Sequence, residues 1–263
     1  MKTGFFKSTE LSNWQYHHSE GISKSSLDMI HRSPAHYKWS KTHPAESTPA
    51  LRFGSALHEF ILEPDLFQTH YEVLPEDYKG TTKLGKAMME DIRKAGKEPL
   101  TNADFITIKG MREAVMANDE ARNVLEGAQT ELSMYAELMG TQCKARADIF
   151  NDGLFADLKT TKDASPKEFQ KSFYNFRYHV QAAWYSEVYK KITGETPVGF
   201  MFIAVEKEPP YGVTVCVPSD LYITMGKMTA YQDLETYLRC LETDTWPCYP
   251  PDLMVMEPPK WAQ

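Results

Sequence analysis

No apolar run in this chain approaches the roughly 18–20 residues that a membrane-spanning helix needs. The opening Met1-Lys-Thr-Gly-Phe-Phe-Lys7 lacks the apolar stretch of a signal peptide, so no membrane partner and a cytoplasmic address are expected. Cysteine is scarce. The four present, Cys143, Cys216, Cys240 and Cys248, form no Cys-x-x-Cys pair, which disfavours a zinc or iron–sulfur site and points to reduced thiols. Eight histidines, five of them within residues 17–43, show no His-x₃-His spacing. Positive charge is in deficit, with 29 Lys and Arg against 36 Asp and Glu, a net charge of −7. That argues against broad, unspecific affinity for nucleic acid. There is no internal repeat and no low-complexity tract.

What is present is an ordinary globular composition, 42% hydrophobic and 25% charged over 263 residues, enough for one large domain or two small ones. The charge is uneven. Residues 24–52 carry five Lys or Arg against two acids, residues 159–191 seven against three, and 232–263 is acidic. Local basic surface on an acidic protein suits contact with a short stretch of phosphates, and equally an ordinary solvated helix face.

Residues 1–22 have no clear period. Ser23 caps a predicted helix to about 32, Pro34 opens a second with Tyr37 and Trp39, and Pro49 a third to Leu62. Residues 65–80 read as loop or irregular strand, and 82–96 and 103–125 as helices. Strands follow at 130–139, 142–151 and 154–160. The capping box Ser165-Pro-Lys-Glu168 then starts a helix, and another runs over 177–193 to Gly194. Strands at 198–206 and 211–217 and a helix from Ser219 to about 242 complete the pattern, leaving 246–263 without a period. The order predicts an α/β (α+β) fold with a central mixed sheet flanked by helices.

The most informative stretch is Lys144-Ala-Arg-Ala-Asp148-Ile-Phe150-Asn-Asp152-Gly153-Leu-Phe155-Ala-Asp157-Leu-Lys159. Both halves alternate with the strand period around an Asp-Gly turn signal. A two-residue loop pairs Asn151 with Leu154. By counting, Phe150 faces Phe155, Asp148 faces Asp157 and Arg146 faces Lys159 on one face, with Ile149/Ala156 and Ala147/Leu158 on the other. A three-residue loop would separate the two aspartates. Carboxylates about 5 Å apart repel by roughly 3 kcal/mol at an effective dielectric near 20, which a cation between them would offset. Two carboxylates with a lysine two residues on suit metal-dependent phosphodiester hydrolysis. The same pattern also fits a plain half-exposed sheet.

Two further groups stand out. His58, one turn after Gly54 on the third helix, falls at the edge of its apolar face, where an imidazole can ligate metal or bond a carbonyl. Gln181 and Tyr185, four apart on the 177–193 helix, could present amide and phenol donors to a phosphate, or simply pack. Val180, Trp184 and Val188 mark that helix's expected core face.

Gly54-x₃-His58, the strand residue Glu131, Asp148, Asp157-Leu-Lys159 and Gln181-x₃-Tyr185 occur in one order. That order resembles the PD-(D/E)xK nucleases of the lambda-exonuclease and RecB-nuclease group, above all the exonuclease VIII, or RecE, type. The resemblance spans nearly the whole chain and includes Gly21-Ile-Ser-Lys-Ser-Ser26-Leu and the segment 51–64. It implies one nuclease domain over 1–263, with a helical DNA-end-binding part at 1–64, a catalytic core at 128–243 and an irregular tail at 244–263. It further implies that Asp148, Asp157, the Leu158 carbonyl and His58 hold Mg²⁺, with Mn²⁺ as substitute, and that Glu131 lies near a second metal. Lys159 would act on the attacking water, and Gln181 and Tyr185 would orient the scissile strand. Ser23, Ser26 and Arg52 would hold phosphates of the DNA end. The motif's initial proline is absent; Ala147 precedes Asp148. The implied activity is 5′→3′ exonucleolytic degradation of double-stranded DNA by a ring-shaped tetramer, leaving 3′ single strands for an annealing recombination protein. The alternatives are an endonuclease, an exonuclease of other polarity, or a non-catalytic DNA-binding or assembly protein on the same scaffold. Retention of the repelling pair with Lys159 counts against the last.

Overall fold

Asp152 and Gly153 take φ of 45° and 84°, the left-handed values that let a two-residue loop follow the twist of the strands it joins. The hairpin they close sits at the centre of the computed structural model, which describes residues 2–44 and 46–258. The chain opens with β1 (Gly4–Phe6), α1 (Asn13–His18), α2 (Lys24–Arg32), α3 (Pro34–Thr42), α4 (Pro49–Leu62) and α5 (Pro64–His70). It continues through β2 (Tyr71–Val73), α6 (Lys83–Lys94), β3 (Glu98–Leu100), α7 (Asn102–Ala117) and α8 (Asp119–Leu125). Then come β4 (Gln129–Leu138), β5 (Thr141–Asn151), β6 (Leu154–Thr161), α9 (Pro166–Asn175), α10 (Tyr178–Thr193), β7 (Gly199–Glu206), β8 (Val213–Cys216) and α11 (Asp220–Thr243).

Six strands form one mixed sheet in the order β1-β4-β5-β6-β7-β8, and β2 and β3 pair separately. Only β6 and β7 run parallel within the large sheet, from Leu154↔Gly199 to Thr161↔Glu206. A parallel pair needs a long crossover, which α9 and α10 supply. One apolar cluster, with Trp184, Phe155, Phe202 and Val180, joins one face of the sheet to α2, α3, α9, α10 and α11. The other, with Leu57, Ile108, Met111, Ile149, Leu158 and Ile203, joins the opposite face to α4, α7 and α8. This is the α/β arrangement that the order of elements predicts.

Several expectations need correction. Residues 64–70 are helical, because Pro64 at a first-turn position starts a new helix immediately after the old one ends. Residues 1–22 contain a strand and a short helix, and three-residue β1 is too short to show a period. The helix expected over 103–125 breaks at Asn118, whose side chain accepts from Ala121 N–H and caps α8. Ser165 begins α9 without a side-chain cap bond. The four cysteines are free thiols. Residues 246–258 hold no helix or strand, and 259–263 of the expected tail lie outside the described residues. Among the described residues, no helix is long and apolar enough to cross a membrane.

The largest correction concerns the hairpin. Ile149↔Ala156, Phe150↔Phe155 and Asn151↔Leu154 pair as counting requires, and the ladder then stops. Neither Asp148/Asp157 nor Arg146/Lys159 forms a facing pair. β6 stays with β7 along its whole length, while β5 stays with β4 from Gln129↔Phe150 to Leu138↔Thr141. The two strands therefore part. The phase of β5 also changes at Asp148: Ala147 and Phe150 pack into the same cluster, and Ile149 into the opposite one. Opposite Asp148, Glu131 has φ of 53°, a left-handed conformation that costs a non-glycine residue about 1–2 kcal/mol.

Helix α10 is buried nearly all round from His179 to Tyr185, because the sheet covers one side and α11 the other. At Gly226 on α11 a β-carbon would lie 2.1 Å from the His179 carbonyl oxygen. Gly226→Ala should therefore push the two helices apart, costing about 1–3 kcal/mol as overpacking does. Urea denaturation checks this; an unchanged midpoint would show that α11 can shift freely.

Candidate active site

The parted strands leave a gap lined with charge. Asp148 on β5, Glu131 on β4 and His58 on α4 bring one ligand atom each within 4.8 Å of one another. His58 Nδ1 lies 3.4 Å from Asp148 Oδ2. The same oxygen accepts the Leu158 backbone N–H at 3.0 Å, so a carboxylate replaces the ladder partner that β6 has lost. The His58 ring is also in hydrogen-bond contact with the Leu158 carbonyl. Asp157 is almost wholly buried. Its Oδ1 accepts from Gln181 Nε2, and its Oδ2 lies 2.6 Å from Lys159 Nζ. The Lys159 ammonium in turn sits 4.7 Å from the centre of the Tyr178 ring.

Electrostatics follow from burial. Desolvation, then the Asp157 charge, raises the Asp148 carboxyl well above the usual carboxylate range. Glu131 is raised by burial and then by Asp148, although Arg146 Nε pairs with it at 2.6 Å. Burial pulls Lys159 down, but Asp157 and Asp148 together outweigh it, and the ammonium is held above its ordinary value. Burial lowers His58, which favours the neutral imidazole a metal ligand needs. The donor set of carboxylates, one imidazole and a backbone carbonyl suits a hard divalent cation. The strain of these crowded carboxylates is what such a cation would relieve.

The sequence-predicted residues are distributed unevenly around this centre. His58, Glu131 and Asp148 form the group of mutually close ligand atoms, whereas Asp157, expected to share the metal, lies outside that group with its oxygens on Gln181 and Lys159. Gln181 and Tyr185 lie beneath Asp157, 5% and 9% exposed. The Gln181 amide donates to Asp157. Tyr185 packs on Phe155 and Phe200 in hydrogen-bond contact with Gln181. Of the two readings the sequence left open, a donor to phosphate or simple packing, both side chains are packed, because α10 is buried on this face as well as on the one bearing Val180 and Trp184. Ser23 caps α2 by accepting the Ser26 N–H, and the two hydroxyls are 3.1 Å apart. Their helix start adjoins the site through Lys24, whose ammonium is 5.9 Å from the Tyr178 ring and feels the Lys159 charge. Arg52 stands apart: six residues before His58 it leaves another side of α4, and it donates to the Ser47 carbonyl at 2.7 Å.

Three participants were missed. Buried Arg146 holds Glu131 and also donates to Ser133 Oγ at 2.7 Å and to the Leu11 carbonyl at 3.1 Å. Regular counting put it opposite Lys159, because the phase change at Asp148 leaves no mark in the sequence. Tyr178 could have been found, since it lies three residues before Gln181 on the same side of α10. Lys24 carried no signal beyond its charge.

A mixed sheet between helical layers, with an Asp on one central strand and Asp-x-Lys on the next, is a PD-(D/E)xK nuclease fold. Residues 23–252 match the family described as a PDDEXK-like domain of unknown function (DUF3799), and the chain belongs to that family. Among solved structures it is similar to a "Putative exonuclease" from Eubacterium rectale, at 17% identity over 87% of each chain and a TM-score of 0.60, a likeness of fold. It also aligns with SSO0001 over 69% of this chain and 85% of that one, at 14% identity and a TM-score of only 0.28. No curated protein matches the chain.

Metal-free stability should depend on pH through Asp148. Above about pH 4, where an unfolded Asp ionises, the folded protein still holds this proton up to the raised value. It then binds more protons than the unfolded chain, so stability falls as pH rises through that window. Asp148→Asn, which keeps an acceptor for Leu158 N–H, should reduce the fall. Urea midpoints in EDTA from about pH 5 to about pH 8 test this; an undiminished slope in the variant would place its origin elsewhere.

Proposed function

We propose that this protein is a Mg²⁺-dependent 5′→3′ exonuclease of the RecE type acting on double-stranded DNA ends. The observation that carries the reading is the ammonium of Lys159, held between Asp157 and Tyr178 beside the Asp148, Glu131 and His58 cluster. Asp148, Asp157, the Leu158 carbonyl and His58 would hold the metal, with Glu131 next to a second one. Bound there, Mg²⁺, or Mn²⁺ in its place, supplies positive charge to the scissile phosphate and acidifies water.

The remaining roles belong to side chains. Lys159 stays protonated against its two aspartates, orients the attacking water and offsets negative charge developing on the phosphoryl oxygens. Gln181 keeps the Asp157 carboxylate oriented, with Tyr185 bracing the amide. Ser23 and Ser26, at the start of a helix whose Lys24 abuts the site, face the phosphates of the entering strand. Arg52 reaches phosphates farther along it. The whole chain acts as one nuclease domain, residues 1–64 toward the DNA end and 128–243 forming the catalytic core. The RecE-type resemblance implies a tetrameric ring, whose bore the basic segments 24–52 and 159–191 of a protein of net charge −7 would line. The ring would work in the cytoplasm and pass 3′ single strands to an annealing recombination protein.

Incubation of pure protein with Mg²⁺ and linear duplex labelled at either the 5′ or the 3′ end tests the proposal. Mononucleotides should come from the 5′ end, closed circles should resist, and EDTA should stop the reaction. Undiminished cleavage in EDTA would overturn the metal mechanism, release from the 3′ end the polarity, and rapid nicking of circles the exonuclease reading. Lys159→Ala should lose cleavage by roughly 100-fold or more while calorimetry finds Mg²⁺ binding retained. Lost metal affinity would assign the lysine a structural role.

A further inference from the structure

Phe176 is a large apolar side chain, 61% exposed, at the junction of α9 and α10. Single exposed aromatics are common; this one is held in place and stands beside the chemistry. It ends α9, its N–H bonding the Ser172 carbonyl at 2.9 Å. The next residue, Arg177, has φ of 57°, unusual for a non-glycine residue. Arg177 is pinned there by Asp28 at 3.0 Å, by Asp233, and by the Leu27 carbonyl at 3.3 Å. Lys24 Nζ donates to the Phe176 carbonyl at 2.8 Å. The backbone is thus clamped from α2 and α11 in the conformation that turns Phe176 outward.

One face of the Phe176 ring is covered. It stacks on Tyr178 with centroids 5.8 Å apart and planes 28° from parallel. Tyr178 is the ring that lies over Lys159, with Lys24 also on it. Catalytic ammonium, tyrosine and exposed phenylalanine form a continuous ladder ending in solvent. Trp14 and Trp39, also exposed, stack on His18 of α1 and on His43 just past the end of α3 and join no such ladder.

We infer that Phe176 is a stacking platform for a nucleobase of the strand whose phosphate lies at Lys159. The inference rests on the nuclease reading for the identity of that strand. A phosphate beside Lys159 and Lys24 leaves its attached base within reach of the next ring out. An unpaired base has an apolar face to cover, and an aromatic ring covers it whatever the sequence. Stacking there would keep the strand end from re-pairing while its phosphate is positioned.

The test measures binding of two single-stranded oligodeoxynucleotides in Ca²⁺, one fully based and one with an abasic position in the entering segment. The wild-type protein, Phe176→Ala and Phe176→Trp are compared. The wild-type protein should prefer the based strand. Phe176→Ala should bind it roughly 5- to 100-fold more weakly and lose the preference, while Phe176→Trp keeps both. Thermal melting should be nearly the same for all three, since the side chain is exposed. Equal binding of the based strand by wild type and Phe176→Ala would overturn the proposal, as would a loss that is the same on both strands. Cleavage of labelled duplex by wild-type protein in Mg²⁺, run alongside, tests the nuclease reading separately.

Discussion

Two carboxylates on adjacent strands of a regular sheet would face each other at ladder distance with nothing between them, and their repulsion would work against the ladder. This fold separates them by ending the ladder. From Ala156 onward β6 follows β7, β5 follows β4, and the gap between them receives Asp148 from one side and Asp157 from the other. The Leu158 N–H, deprived of a strand partner, bonds Asp148 instead. The parting of two strands is thus the constraint on which the site depends: it makes the cavity, aims the carboxylates and supplies a backbone carbonyl to the same space.

Two of the three carboxylates in the gap have a fixed cationic counterpart. Arg146 holds Glu131, Lys159 holds Asp157, and Gln181 completes Asp157 from α10. Arg146, Asp157 and Gln181 are buried and Glu131 and Lys159 partly so, so these pairs act at lowered effective dielectric, where both attraction and repulsion are stronger than at the surface. The arrangement leaves Asp148 as the carboxylate without a cationic partner at contact distance, its neighbours being a neutral-leaning imidazole and an amide. Burial first, and the Asp157 charge second, raise its proton affinity, and the position is the natural centre of a metal site.

Helix α10 ties packing to chemistry. Val180, Ala182, Trp184 and Val188 lock it into one core, and Gly226 lets α11 close over it. The same helix carries Tyr178, Gln181 and Tyr185 on successive turns toward the hairpin. A helix that had to remain half-exposed could not hold an amide against a buried carboxylate, since solvent would compete for both. Burial on all sides is therefore part of how Asp157 and Lys159 are oriented.

Local rules determined much of this protein. Asp152-Gly153 specified a two-residue turn, the caps at Ser23 and Ser219 specified helix starts, and Gly194 a helix end, because each depends on atoms only a few residues away. The order of Gly-x₃-His, Asp, Asp-x-Lys and Gln-x₃-Tyr was readable for the same reason. What tertiary structure decided was everything that depends on a competing partner. Arg146 belongs to Glu131 rather than to the Lys159 side, because β4 keeps its grip on β5 past the break. Gln181 and Tyr185 are buried beneath Asp157, with the Gln181 amide bonded to that carboxylate, because α11 covers the far side of their helix. β1, β3 and α5 escaped notice because elements of a few residues carry too short a pattern to read. A period predicts facing residues only while a ladder continues, and here it ends where the chemistry begins.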